Sequence, residues 1–139
     1  MEGADPAVSL TYITSSSFTV VAPLPPTLNQ SYHSYPVGGH CRIVLSKAAR
    51  EWKEEVAYHV KCFWHAFSQP SPPRAVYNME VTQYLTKNSR DADCSIKLTM
   101  DAIFNGMGVN DNRVYEIILR KVVDRAETPR ITVEVSWHV

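Results

Sequence analysis

The stretch AVYNMEVTQYL, Ala75–Leu85, decides how this chain folds. Ala75, Tyr77, Met79, Val81 and Leu85 fall on one side of an extended backbone, and Asn78, Glu80 and Thr82 on the other. That period of two predicts a half-buried strand. Past a short polar segment the period changes. Ile96, Met100, Ile103, Phe104 and Met107 recur at helical steps, with Gly106 and Gly108 as stop signals.

Upstream, Ser46 is suited to cap a helix whose apolar stripe is Ala49, Trp52, Val56, Val60, Phe63 and Phe67, ended by QPSPPR. Before it, FTVVAPL reads as a strand closed by Pro23, Pro25 and Pro26. Between Asn29 and Leu45 a Tyr-rich segment carries Gly38-Gly39, a turn signal for a hairpin. Downstream, VYEIILRKVV and RITVEVSWHV read as strands joined by a turn around Glu127-Thr128-Pro129. The predicted class is α+β or mixed α/β, one sheet of about four to six strands with two main helices packed on it.

With 139 residues, 45% of them hydrophobic, the chain is long enough for one domain with a sizeable core. Residues 1–17 show no sustained period and end in three serines, which predicts a poorly ordered tail before a domain over 18–139. No apolar run approaches the roughly 20 residues needed to span a bilayer, so no membrane partner is expected. The start lacks a charged and apolar leader pattern, which predicts a cytoplasmic protein. Three cysteines, Cys41, Cys62 and Cys94, are too few and too scattered for a disulfide framework, and five histidines fall at no metal-ligand spacing. No nucleophile elbow, P-loop or dinucleotide fingerprint is present. Fourteen basic and fourteen acidic residues balance, which argues against a nonspecific, charge-driven DNA binder.

The polar segment after the strand is SRDADCSIK, Ser89–Lys97. On extended backbone Asp91 and Asp93 would point the same way. Asp93 also stands where a helix N-cap would, and Lys97 lies four residues after it, at helical ion-pair spacing. Alternatively, paired carboxylates beside cations form an oxygen-rich site for Mg²⁺, which neutralises a phosphodiester while a lysine stabilises the developing charge. Such a site needs a third acid. Asp111, in GVNDNRV, qualifies if residues 105–110 double back: a helix of eleven residues runs about 16 Å and six extended residues reach about 20 Å. A twin subunit supplying the third acid is the other arrangement.

The sequence from LPPTLNQSY through SRDADCSIKLTMDAIFNGMGVNDNRVYEIILRKV resembles the RusA family of Holliday-junction resolvases of phages and prophages. The likeness rests on Pro25-Pro26-Thr27, Arg90-Asp91-Ala92-Asp93, Lys97, Met100-Asp101-Ala102-Ile103 and Asn110-Asp111, in family order. It implies a homodimeric, Mg²⁺-dependent endonuclease, with Mn²⁺ as alternative metal, making paired cuts in a four-way DNA junction in a bacterial or phage-infected cell. By that analogy Asp91, Asp93 and Asp111 bind metal and Lys97 assists the transition state. Arg90, Lys87, Arg42, Tyr32, Asn29 and Arg113 are then candidate DNA contacts, Tyr32 and Tyr35 by stacking on unpaired bases. Two departures stand out. Cys94 replaces the family's Asn, and the Tyr-rich loop offers Arg42 where relatives carry several arginines. Trp64, off the main helical stripe, is a candidate for a dimer interface. The rival readings are a catalytically weak nucleic-acid-binding or structural protein whose acids only cap a helix, and a nuclease for forks or flaps.

Overall fold

The computed structural model describes residues 6–66 and 74–139, without the side chains of Leu28, Asn29, His33, Tyr35 and Arg42. Phe67 and most of QPSPPR lie outside the described residues. The elements in chain order are strands β1 (Ser9–Thr14) and β2 (Ser17–Ala22), a single helical turn α1 (Leu28–Ser31), strands β3 (Tyr32–Val37) and β4 (His40–Leu45), and helix α2 (Lys47–His65). Strand β5 (Val76–Leu85), helix α3 (Ile96–Met107), a 3-10 turn at Asp111–Arg113, and strands β6 (Val114–Val123) and β7 (Arg130–His138) complete the chain.

Five strands form one mixed sheet in the order β1-β2-β7-β5-β6, and β3 and β4 form a separate hairpin. Strand β5 lies between antiparallel β7 and parallel β6. The pair β5 and β6 with α3 between them is therefore a β-α-β unit. The fold is α+β with two helices on a mixed five-stranded sheet, as the periodicities predict.

Alternation is complete in β5, whose inward residues Tyr77, Met79, Val81, Gln83 and Leu85 are all buried. Ile131, Val133, Val135 and Trp137 of β7 and Phe18, Val20 and Ala22 of β2 extend the same core. Onto it α2 packs Ala49, Trp52, Val56, Val60 and Trp64. Trp64 is thus a core residue rather than an interface one: it lies one turn past Val60, 5.9 Å from the Phe18 ring and 5.3 Å from that of Trp137 between centroids. Ser46 caps α2 as expected, its hydroxyl accepting from the Ala49 N–H at 3.2 Å.

Gly38 and Gly39 have φ of 55° and 84°, the left-handed values a two-residue hairpin turn needs between β3 and β4. Two expectations change. Ser9–Thr14, read as tail, pair with β2, where Val8 is buried and Tyr12 stacks on Phe63 at 4.4 Å. β6 and β7 are joined by a turn as read, and in the sheet β5 lies between them. Gly106 is not a stop signal. It lies inside α3, where a Cβ would come within 2.7 Å of Ala57 O and of Val60 Cβ on α2, while Gly108, at φ 71°, ends the helix.

Gly106→Ala should therefore destabilise the protein by about 1–3 kcal/mol through overpacking, outweighing a helix-propensity gain of about 1 kcal/mol. Denaturant unfolding measures it, and a raised midpoint would contradict the close approach of α2 and α3.

Candidate active site

The segment between β5 and α3 hangs from the sheet by side chains that reach its backbone carbonyls. Gln83, 1% exposed, donates from Nε2 to Asp91 O at 3.2 Å and Ala92 O at 3.0 Å. Lys121 of β6, the register partner of Gln83, donates to Arg90 O at 3.2 Å and to Asn88 Oδ1 at 2.7 Å. Arg90 in turn donates from Nη1 to Pro25 O at 2.6 Å, which ties the segment to the proline turn, and Trp52 of α2 braces that turn through Pro23 O at 2.8 Å.

Residues 92–95 form a turn rather than extended backbone, with the Cys94 N–H facing Asp91 O and the Ile96 N–H facing Asp93 O. The two aspartates therefore do not share one direction by strand alternation. Asp91 lines a polar cleft of about 430 Å³ with Thr27, Asn88, Ser89, Arg90, Cys94 and Lys121. Asp93 lines a smaller one, about 80 Å³, with Tyr32 and Lys97. Cys94 borders both, and its thiol faces Gln83 Oε1 at 3.7 Å.

Helix α3 starts at Ile96 with Ser95 in the N-cap position and no side-chain cap bond, so capping does not account for Asp93. Among the described residues neither the Asp91 nor the Asp93 carboxylate has a hydrogen bond or ion pair, and both side chains are exposed. Two neighbouring anions without partners repel each other unless a cation joins them.

The helical partner of Lys97 is Asp101, not Asp93: the ammonium lies 2.9 Å from Asp101 Oδ1 and 3.4 Å from Asp111 Oδ2. The chain after α3 does double back, turning at Gly108 so that Asp111 reaches Lys97 of its own subunit. Among the described residues no three His, Cys, Asp or Glu side chains are grouped closely enough to hold a metal ion, so Asp91, Asp93 and Asp111 do not converge, and Asp111 is ion-paired with Lys97. The donor chemistry nevertheless fits a hard divalent cation: Asp91 and Asp93 offer unengaged carboxylate oxygens, and the nearby sulfur of Cys94 faces Gln83.

The other predicted contacts scatter. Lys87 is exposed in the bend after β5. Arg113 donates to Ala75 O at 3.3 Å, bracing the start of β5. Tyr32 borders the Asp93 cleft. The side chains of Asn29, Arg42 and Tyr35 lie outside the described residues. Sequence reading missed Gln83, Lys121 and Asp101. Gln83 left a signal, as the one polar residue on the inward face of β5; Asp101 left another, in its spacing from Lys97.

The Lys97 pKa is raised above its ordinary value, first by the hydrogen bond to Asp101, with desolvation as the next effect acting against it, and then by the charge of Asp101 and the hydrogen bond and charge of Asp111. A raised lysine pKa means that the pairing contributes stability fully below the unfolded value of about 10.4 and loses it only as pH climbs through the folded value. At neutral pH Lys97 is an ammonium that can donate to an anion and cannot act as a base.

Residues 23–136 match the family model described as Endodeoxyribonuclease RusA. No curated protein matches the chain.

Asp101→Asn should lower the Lys97 pKa, followed by NMR of the side chain. Because Lys97 is exposed, stability should fall by only about 0.2–0.5 kcal/mol, equally from about pH 6 to pH 9. A loss confined to alkaline pH in denaturant unfolding would contradict that sign.

Proposed function

The chain belongs to the RusA family of endodeoxyribonucleases, and from that premise we propose that it resolves four-way DNA junctions by metal-dependent hydrolysis at Asp91, Asp93, Asp111 and Lys97. The observation that carries this reading is the pair of exposed carboxylates, without partners among the described residues, on a braced segment beside the Lys97–Asp111 ion pair. Asp91 and Asp93 would hold Mg²⁺ or Mn²⁺, with Asp111 joining them from Lys97. When bound, the ion supplies Lewis acidity toward a phosphodiester and lowers the pKa of a water.

The residues themselves supply the rest. Lys97 is anchored by Asp101, and its remaining N–H bonds would be directed at the negative charge that develops on the phosphate. Arg90 retains guanidinium donors beyond the one used on Pro25 O, at the rim of the larger cleft, where a substrate phosphate can be held. Tyr32 lines the smaller cleft, where its ring could stack on an unstacked base.

Two copies acting together suit a substrate with two-fold symmetry. Edge strand β6 supports pairing: Tyr115 is 75% exposed, and Ile117, Val122 and Val123 also face solvent on a strand with one open side. The reading in which the chain binds branched DNA without cutting is favoured by the zero net charge and by the lack, among the described residues, of three acids grouped closely enough to hold a metal ion.

Incubation with a labelled four-way junction separates these readings. Paired cuts that need Mg²⁺ support hydrolysis, and binding without cuts at any divalent concentration supports the rival. Asp91→Asn and Asp93→Asn should each lower cleavage by more than about 100-fold through lost charge stabilisation while leaving junction binding in place; undiminished cutting in either variant would remove that residue from the site. Comparison with forks and flaps sets the substrate class. In light scattering the mass should be twice that of the 15.7 kDa chain, and a monomer bound to junction DNA would exclude the paired arrangement.

A further inference from the structure

We infer that Gln83 is a positioning residue, whose buried carboxamide fixes the backbone at Asp91 and Ala92 and thereby sets where the Asp91 and Asp93 carboxylates stand. Its consequence for metal binding rests on the proposed nuclease function; its consequence for the segment does not.

Strand β5 directs Tyr77, Met79, Val81, Gln83 and Leu85 into the core, and Gln83 is the one amide among them. An unpaired amide there would be costly, and an apolar side chain would pack as well. What the carboxamide adds is a pair of donors, both aimed at carbonyl oxygens of one short segment, Asp91 O and Ala92 O. Its acceptor end faces the Cys94 thiol. Only the orientation with nitrogen toward the two carbonyls satisfies this set, because a carbonyl oxygen accepts and never donates. Lys121, beside Gln83 on β6, holds the preceding carbonyl of Arg90. Three consecutive carbonyls are thus turned into the protein, and the segment has few backbone bonds of its own to impose that arrangement. Partners one step behind metal-ligating groups tune affinity in this way.

Gln83→Glu is nearly isosteric and exchanges the two N–H donors for a carboxyl. Burial raises the pKa of such a carboxyl, so the neutral acid, with one O–H donor, persists at lower pH, and the anion, which repels both carbonyls, appears as pH rises. Gln83→Met removes donors at every pH. The readouts are amide hydrogen exchange over residues 88–94 without metal or DNA, and Mn²⁺ binding followed by electron paramagnetic resonance. Against the unmutated protein at the same pH, Gln83→Glu should show faster exchange and weaker Mn²⁺ binding, by a factor that grows from about pH 6 to about pH 9 and reaches roughly 10–100-fold. Gln83→Met should show a similar loss that does not vary with pH.

In the unmutated protein the Gln83 carboxamide protons should exchange slowly in NMR, a measurement that needs no variant to fold. Rapidly exchanging carboxamide protons, or unmutated exchange and Mn²⁺ affinity in both variants, would overturn the inference. Loosened exchange in the variants together with no Mn²⁺ binding in the unmutated protein would uphold the positioning role and count against the nuclease site instead.

Discussion

A buried amide cannot be left unpaired, and on β5 that constraint shapes everything downstream. Gln83 takes a place that apolar residues hold along the rest of the inward face, and its donors are met by Asp91 O and Ala92 O. The segment carrying the two aspartates is therefore bound to a strand flanked on both sides in the sheet. Lys121 and the Arg90–Pro25 bond hold it from two further directions. Among the described residues no buried side-chain nitrogen or oxygen lacks a partner, so the sheet carries this polar device without an uncompensated desolvation cost.

The second anchor is helical. Helix α3 presses on α2 closely enough that only glycine fits at position 106, and the left-handed turn at Gly108 sends the chain back along the helix. That return brings Asp111 to Lys97. Lys97 thus ties the first turn of α3 to the segment after it, paired with Asp101 of its own helix and with Asp111 beyond it.

How much of this could be read from residue order varies with the range of the interaction. The alternation in β5, the Ser46 cap and the Gly38-Gly39 turn are local, and local rules found them. Strand β1 was missed because its inward side consists of little more than Leu10 and Tyr12, too few for a period to show. Placement of β7 beyond β5 depends on pairing across the sheet, which adjacency in sequence does not report. The aspartate pair and Lys97 were visible as a motif. The extended backbone that would point Asp91 and Asp93 one way gives way to a turn at residues 92–95, and the Asp91 and Ala92 carbonyls are held by Gln83, a side-chain contact that the local period does not report. Gln83 itself was legible only as a gap in an apolar face.

Convergence of Asp91, Asp93 and Asp111 on one divalent ion is the claim on which the functional account depends. Anomalous diffraction from crystals grown with Mn²⁺ tests it directly. The account predicts a single peak roughly 2.0–2.2 Å from carboxylate oxygens of all three residues, with Asp111 released from Lys97. An ion held by Asp91 and Asp93 while Asp111 stays on Lys97 in both copies, or no ion at all, would contradict it.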